Sequence, residues 1–223
     1  MERLRRFSRL GSSMTTRICF VRHGETDWNV QRRIQGHLDI PLNHTGRAQA
    51  MAVAFTAAHH RFSAIYSSDL GRAMQTARAI GEREGIEVRP FPDLRERNYG
   101  IFQGITAAEA ADRFPQAHLH YESRDPDYRF ETGESMRDLV RRVSTAVQWI
   151  GRHHAGESVC AVTHGGVLDI LYRKATGRAL GTPRDFVIPN CALSWFHVDD
   201  RGWHLERWAD RHHLEQVIVE SPE

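Results

Sequence analysis

This chain has few cysteines, and neither positive nor negative residues are in clear excess. Only three cysteines, Cys19, Cys160 and Cys191, occur in 223 residues, which excludes a disulfide framework and a cysteine-based structural zinc site. Thirty basic residues face 28 acidic ones, a formal net charge of +2, so nucleic acid is not an expected partner. No apolar run is long enough to span a bilayer. We therefore expect a cytoplasmic protein without a membrane partner.

Internal repeats and low-complexity linkers are absent as well, and the length suits one domain. We place that domain at residues 15–215. Residues 1–14 are rich in arginine but have no apolar centre, so they do not read as a secretory signal. They are predicted to be a disordered basic extension, and a true start at Met14 is the alternative. Residues 216–223 are predicted to be a C-terminal tail.

A polar motif follows the first apolar run of the chain. Residues 18–21 predict a buried strand, and Arg22-His23-Gly24 comes directly after it. Ligand sites of α/β proteins gather at such strand ends. An imidazole nucleophile beside a permanent cation suits attack on a phosphoryl group, and glycine lets the backbone approach it. Taken alone, the motif is more typical of a surface turn than of a site.

A second histidine occurs in the same setting. Residues 158–162 form another short apolar run, which ends at Thr163-His164-Gly165. If the two strands are neighbours in a parallel sheet, His23 and His164 face one pocket. This repetition is what favours a site over a turn.

A third strand end adds positive charge. Residues 62–66 predict a strand, and a helix follows with Ser68 or Asp69 as its N-cap. Arg72 then lies in the first helical turn, where the helix dipole does not favour a cation. An anionic ligand explains it better than helix stability does, and a solvated surface arginine is the alternative.

A carboxyl group is available in the segment 93–100. Phosphoryl transfer to histidine requires an acid that protonates the departing oxygen. Glu96 is the candidate, and Arg97 and Tyr99 beside it are candidates for substrate contact. A solvated charged loop is the alternative reading.

Histidine is abundant, with 14 residues in the chain. Several stand in adjacent pairs, and none has metal-ligand spacing with the cysteines. We expect no metal site.

The pattern of elements predicts the fold class. Helices are predicted at residues 45–59 (with Thr45 as N-cap), 71–84, 106–114, 135–153 and 165–176, and an edge hairpin over 192–208. Alternation of strands and helices favours a three-layer α/β/α sandwich with a mostly parallel central sheet. Residues 115–132 are predicted to be a lid or insertion near the site. The aromatic hairpin leaves a homodimer open.

These motifs together resemble one family. They occur in its order, over residues 17–198, at positions 22–26, 28–29, 35–36, 41–42, 67–73, 75–77, 94–100, 133–135, 163–166 and 189–190. The chain is similar to the histidine phosphatase superfamily, also called phosphoglycerate mutase-like, and to its phosphatase-type branch.

The resemblance implies a role for each matching residue. His23 corresponds to the nucleophile that becomes phosphohistidine, and Glu96 to the proton donor. Arg22, Arg72 and His164 correspond to the rest of the phosphate pocket, with no metal. The implied substrate contacts are Arg22, His23, Gly24, Glu25, Thr26, Asn29, Gln35, Gly36, Arg72, Glu96, Arg97, Tyr99, His164 and Gly165.

The resemblance leaves two reactions open. Residues 96–104 look like those of mutases that move phosphate between hydroxyls of a sugar acid, with 2,3-bisphosphoglycerate as cofactor. Residues 35–42 and 68–72 look phosphatase-like, and the stretch 96–164 is shorter than in mutases. An open pocket admits water to phosphohistidine, which favours hydrolysis of a small phosphorylated metabolite. A non-catalytic binding protein on the same fold is the remote alternative.

Overall fold

A computed structural model describes residues 15–215 of the protein. The strands are β1 (Thr16–Arg22), β2 (Ala64–Ser67), β3 (Val88–Pro90), β4 (Ser158–Thr163), β5 (Leu193–Asp199) and β6 (Gly202–Asp210). The helices are α1 (Asp27–Val30), α2 (His44–Ala57), α3 (Gly71–Glu84), α4 (Ala107–Arg113), α5 (Pro115–Glu122), α6 (Met136–His153) and α7 (Gly165–Thr176). The predicted N-terminal extension, 1–14, and the tail, 216–223, lie outside the described residues.

All six strands form one sheet in the order β3-β2-β4-β1-β5-β6. The first four strands of that order run parallel to one another. Strand β5 pairs antiparallel with β1, and β6 pairs antiparallel with β5. Ile18 and Phe20 of β1 belong to a core shared with α6 and α7. Cys19 and Val21 alternate with them and belong to a second core with α2 and α3. The predicted α/β/α sandwich, mostly parallel sheet and edge hairpin are therefore confirmed.

Strand register brings the two histidine motifs together. Parallel β1 and β4 are neighbours, and Arg22 lies opposite Thr163. The residues that follow, His23 and His164, consequently leave the sheet side by side. Because parallel strands all end at the same edge, β2 brings Ser68 to this edge too.

Two predicted helix caps are wrong. Helix α2 begins at His44, and the side chain of Asn43 caps it by accepting the Gly46 N–H at 2.8 Å, so Thr45 lies inside the helix. Helix α3 has Leu70 at its N-cap position, without a side-chain hydrogen bond. At the start of α3, the two predicted caps are engaged elsewhere, Ser68 with His164 and Asp69 with Arg95.

The predicted lid contains a helix that the sequence analysis did not identify. Helix α5 occupies Pro115–Glu122, and proline at its first position is compatible with a helix start. Its Tyr121 packs with Tyr99, Phe102 and Phe130 in a small aromatic core of its own. Among the described residues, no helix is long and apolar enough to cross a membrane.

Candidate active site

The two predicted histidines lie against each other at the carboxyl ends of β1 and β4. Their ring centroids are 5.1 Å apart, and the side chains are 2% and 0% exposed. The main-chain N–H of His23 also donates to the main-chain carbonyl of Thr163 at 2.9 Å. The loop after β1 is thereby fixed to the end of β4.

The hydrogen bond at its Nδ1 fixes the tautomer of His23. Nδ1 lies 2.7 Å from the carbonyl oxygen of Gly24, and a carbonyl can only accept. Nδ1 therefore carries the hydrogen, which leaves the lone pair on Nε2. Burial lowers the pKa of His23 well below its ordinary value, and the charges of Arg72 and Arg22 lower it further. The ring is neutral at pH 7, as a nitrogen nucleophile must be.

His164 is held by a residue that the sequence analysis considered only as a helix cap. Its Nε2 lies 2.7 Å from the hydroxyl oxygen of Ser68. Its Nδ1 is buried and makes no hydrogen bond among the described residues. Burial, then the charge of Arg72, lowers the pKa of His164 well below its ordinary value. A neutral imidazole is therefore fixed beside His23.

Arg72 is a buried guanidinium rather than a solvated one. It lies in the first turn of α3 with 0% exposure. Nη1 donates to the carbonyl of Leu38 at 2.8 Å, and Nη2 donates to that of Gly36 at 2.7 Å. Burial lowers its pKa to about 10, so the group remains a cation at neutral pH. Its Nε is buried and makes no hydrogen bond among residues 15–215.

Arg22 is anchored in a similar way. Its Nη1 donates to the carbonyl of Ile188 at 2.6 Å, and its buried Nε has no partner in the described part of the chain. Asn190, from the same segment, donates to the carbonyl of His23 at 2.8 Å. Main-chain oxygens thus fix both arginines without neutralising their charge.

Glu96 is held by main-chain N–H groups. Its carboxylate accepts from Gly166 at 3.0 and 3.1 Å and from Arg97 at 2.7 Å. Gly166 lies in the first turn of α7, where the helix dipole favours an anion. A Cβ at this position would lie 2.1 Å from Oε1 of Glu96. A glycine is therefore needed here for the carboxylate to reach the helix.

A second close approach supports the loop of the nucleophile candidate. A Cβ on Gly24 would lie 2.4 Å from the carbonyl oxygen of Gly46, at the start of α2. A Cβ on Gly46 would in turn lie 2.0 Å from the carbonyl oxygen of Glu25. The two backbones touch without intervening side chains.

Arg22, His23, Arg72 and Glu96 line a cavity of about 150 Å³, here called the histidine cavity. His164, although it packs against His23, is not part of the wall. The predicted site residues on its wall are Arg22, His23, Asn29, Gln35, Gly36, Arg72, Glu96 and Tyr99. Arg33, Ile34 and Tyr121 also line it and were not predicted. Arg33 stands in a polar loop without a pattern that marks it, and Tyr121 lies on α5, where the sequence indicated only a lid.

The other predicted contacts lie outside this wall. The carboxylate of Glu25 accepts from Nδ2 of Asn43 at 2.9 Å, and Thr26 caps α1. These two build the loop, as Gly24 does. Gly165 is the first residue of α7, and a Cβ on it would lie 3.7 Å from Nε of Arg22 and 3.9 Å from Oε2 of Glu96.

Arg97 lines a different, larger cavity, which adjoins the histidine cavity. It donates to the carbonyls of Glu134 at 3.0 Å and Tyr128 at 3.2 Å. It is therefore placed for contact with a substrate only beyond the phosphoryl group.

The positive charge of the histidine cavity comes from arginine. Within residues 15–215, no group of three or more His, Cys, Asp or Glu side chains is arranged to hold a metal ion. The two fixed guanidinium groups can bind the oxygens of a phosphoryl group, while the lone pair on Nε2 of His23 is available as a nucleophile.

Known proteins are similar to this chain over most of its length. The relative called phosphoglycerate mutase-like protein 4 of Arabidopsis thaliana is 42% identical over 204 residues, which is 90% of this chain and 87% of that protein. The metal-independent phosphoserine phosphatase of the same plant is 38% identical over 211 residues, or 92% and 86% of the two chains.

Solved structures share the fold. YhfR of Bacillus stearothermophilus superposes with a TM-score of 0.83 at 33% identity, covering 90% of this chain and 100% of that one. A mycobacterial glucosyl-3-phosphoglycerate phosphatase gives 0.76 at 31% identity, covering 87% and 99%. A sequence model of the histidine phosphatase superfamily, branch 1, matches residues 18–211. The chain belongs to that superfamily.

Proposed function

We propose that this histidine phosphatase hydrolyses phosphomonoesters of small metabolites through a phosphohistidine at His23. The observation that carries the proposal is the state of His23. It is buried, neutral and hydrogen-bonded at Nδ1, and it lines a cavity with two permanent cations. That combination presents an unprotonated Nε2 where an anionic phosphoryl group would bind.

In the first step, Nε2 of His23 attacks phosphorus and the bond to the ester oxygen breaks. Arg22 and Arg72 stabilise the charge spread over the phosphoryl oxygens. His164 lies beside His23 and is proposed to contact the same oxygens. In its protonated form, Glu96 donates a proton to the departing oxygen, which leaves as an alcohol, and Glu96 is left as a carboxylate.

In the second step, water attacks the phosphohistidine. Glu96, now a carboxylate, takes a proton from that water, and the bond between Nε2 and phosphorus breaks. Inorganic phosphate leaves and His23 is again neutral. The same carboxyl group serves first as acid and then as base, because the proton moves in the opposite direction in the second step.

The mutase remains a second candidate because of one specific observation. The 42% identical relative carries a phosphoglycerate mutase-like name. A mutase would return the phosphoryl group to another hydroxyl and would need 2,3-bisphosphoglycerate. The phosphatase is favoured because two similar proteins are named phosphatases and the histidine cavity adjoins a wider one that admits water.

A paired assay separates the two. Phosphate release is measured over a panel of phosphomonoesters, beside conversion of 3- to 2-phosphoglycerate with and without 2,3-bisphosphoglycerate. The His23→Ala variant supplies the background. Phosphate release without isomerisation is the expected result, and isomerisation that outpaces phosphate release would replace hydrolysis by the mutase reaction.

We also propose a cytoplasmic location, since three thiols are buried and unpaired. The proposed partner is the substrate alone, and neither nucleic acid nor a membrane is required by the site. We also propose a homodimer that forms through the β5–β6 hairpin at the edge of the sheet. Sedimentation of the purified protein tests this proposal.

A further inference from the structure

The larger cavity beside the histidine cavity, here called the outer cavity, has a volume of about 480 Å³. Tyr99 and Tyr121 line both cavities. Gly166, whose N–H binds the carboxylate of Glu96, also lies on the outer wall. A phosphoester whose bridging oxygen meets Glu96 therefore extends its remaining atoms into the outer cavity.

An ionic cluster forms one side of this cavity. Asp169 of α7 is 3% exposed, and its carboxylate accepts from three arginines. The Nε atoms of Arg173 and Arg184 lie 2.9 Å from it, and Nη2 of Arg124 lies 3.2 Å from it. One carboxylate cannot neutralise three guanidinium groups. This cluster, here called the arginine node, keeps a positive charge.

The remaining charged groups of the wall do not cancel that charge. Arg97 adds a further guanidinium, which contacts only main-chain carbonyls and aromatic rings. The acidic side chains of Glu122 and Asp125 are 65% and 37% exposed, and each lies near a lid histidine, His118 or His120. The node and the wall together carry four arginines (Arg97, Arg124, Arg173 and Arg184) and three carboxylates (Asp169, Glu122 and Asp125), so a net positive charge remains. The side chain of Arg184 is 41% exposed, so water screens part of its charge.

Arg184 is the member of the node with donors to spare. Its Nε is bound to Asp169, while neither Nη1 nor Nη2 makes a hydrogen bond among residues 15–215. Arg173 and Arg124 each use at least one terminal nitrogen. Burial is the main cause of the lowered pKa of Arg22, and the charge of Arg184 adds to it, so Arg184 lies within electrostatic reach of the histidine cavity.

We propose that Arg184 determines specificity by binding a carboxylate on the leaving group. The preferred substrates are then phosphomonoesters of hydroxy acids, with phosphate in the histidine cavity and carboxylate on Arg184. Two adjacent N–H nitrogens of a guanidinium match the two oxygens of a carboxylate. This inference rests on the function proposed for the histidine cavity.

Binding tests it without turnover. Phosphoserine and phosphoethanolamine differ by a single carboxylate, so the ratio of their dissociation constants isolates that group. We measure both by calorimetry on His23→Ala protein. Phosphoserine is expected to bind about 10-fold or more tightly, because hydrogen bonds to charged groups have about that effect. Adding Arg184→Gln should bring the ratio close to one.

Arg178→Gln is the matched control. Arg178 lies in the same segment, is exposed and pairs with Asp185, but it does not line the outer cavity. It should keep the ratio of the parent protein. Equal binding of the two ligands by the parent, or an equal loss for both ligands in Arg184→Gln, would overturn the assignment.

Arg184→Lys is a second variant, which keeps the proposal testable if Arg184→Gln does not fold. It keeps a charge beside Asp169 but not the paired donors, so an intermediate ratio is expected. An unchanged ratio in both Arg184 variants contradicts the proposal. The kcat/KM ratio of the two esters in the unmutated protein is the second readout. If no ester releases phosphate, the proposed function is wrong. The ratio of the two dissociation constants still tests the role of Arg184 in that case.

Discussion

The histidine cavity and the outer cavity bind charge in different ways. In the histidine cavity, main-chain carbonyls hold Arg22 and Arg72, and main-chain N–H groups hold Glu96. In the outer cavity, Arg97 also donates to main-chain carbonyls, but Arg124, Arg173 and Arg184 are held together by the side chain of Asp169. Main-chain contacts survive changes of side chain, whereas the contacts through Asp169 do not. Under the proposed function, the groups held by the main chain bind the phosphoryl group, and the groups held through Asp169 bind the rest of the substrate.

The two cavities also differ in how their charge is balanced. The arginine node contains its own carboxylate, Asp169. Arg22 and Arg72 have carbonyls as hydrogen-bond partners, and burial lowers the pKa of both. Buried cations without a bound carboxylate favour an anionic ligand strongly. The histidine cavity is therefore the region that depends on its ligand.

Removal of the nucleophile candidate should have the largest effect. His23→Ala is expected to lower kcat by about 10⁴-fold or more for every substrate, because all esters share the phosphoryl step. Rapid-quench detection of phosphoenzyme and steady-state phosphate release measure it. The exposed His153→Ala is the control and should keep full activity. Substantial turnover by folded His23→Ala protein would remove this residue from the chemistry.

Glu96→Gln probes the boundary between the cavities. We expect a loss of about 10²–10⁴-fold in kcat for alkyl phosphates, which need a proton on the leaving oxygen. Aryl phosphates with a stable leaving group should lose less in the step that forms phosphohistidine. Single-turnover rates for p-nitrophenyl phosphate and an alkyl ester make the comparison. Equal slowing of both esters would argue against an acid at this position.

The neutral histidines should make stability depend on pH. The pKa of His23 and of His164 is lowered in the folded state, mainly by burial, so the unfolded chain binds protons first as pH falls below about 6.5. The free energy of unfolding should decrease between about pH 7 and pH 5, by at most about 1.4 kcal/mol per pH unit for each histidine. Urea unfolding at several pH values measures it.

A variant pair sharpens this pH prediction. His23→Asn should flatten the dependence, because one buried group no longer resists protonation. The exposed His153→Asn should leave the slope as it was. The same slope in His23→Asn and unmutated protein would mean that His23 is not held neutral by the fold.

The smallest expected effect is that of chelators. Arginine supplies the cations of the histidine cavity, so EDTA should change the rate of phosphate release by less than about twofold. The assay is repeated after dialysis against the chelator and again after adding divalent cations. Strong inhibition that an added cation reverses would show that the histidine cavity uses a metal ion in addition to its arginines.

Much of the site could be predicted from the sequence because it follows strand ends. Apolar runs that stop at Arg22-His23 and at Thr163-His164 mark the edge of a parallel sheet, where side chains meet regardless of loop detail. Arg72 was identifiable because a cation is poorly placed in the first turn of a helix.

The parts that were missed depend on tertiary contacts between distant segments. Ser68 was assigned to a cap, but its hydroxyl lies against His164, 96 residues away. Tyr121 and Arg184 belong to segments without periodic apolar patterns, and only the folded chain shows that they line the same cavity. Asn43 and Thr45 are both good caps, and local preference alone cannot choose between them.

The contact between Gly24 and Gly46 has a consequence for protein engineering. Each position excludes a side chain because the other backbone occupies the space, so single substitutions at either site shift the loop that carries His23. No compensating change of side chain can restore room, since the clashing atoms are the main-chain carbonyl oxygens of Gly46 and Glu25. A library designed to change substrate range should therefore keep both glycines and diversify residues around Arg184 instead.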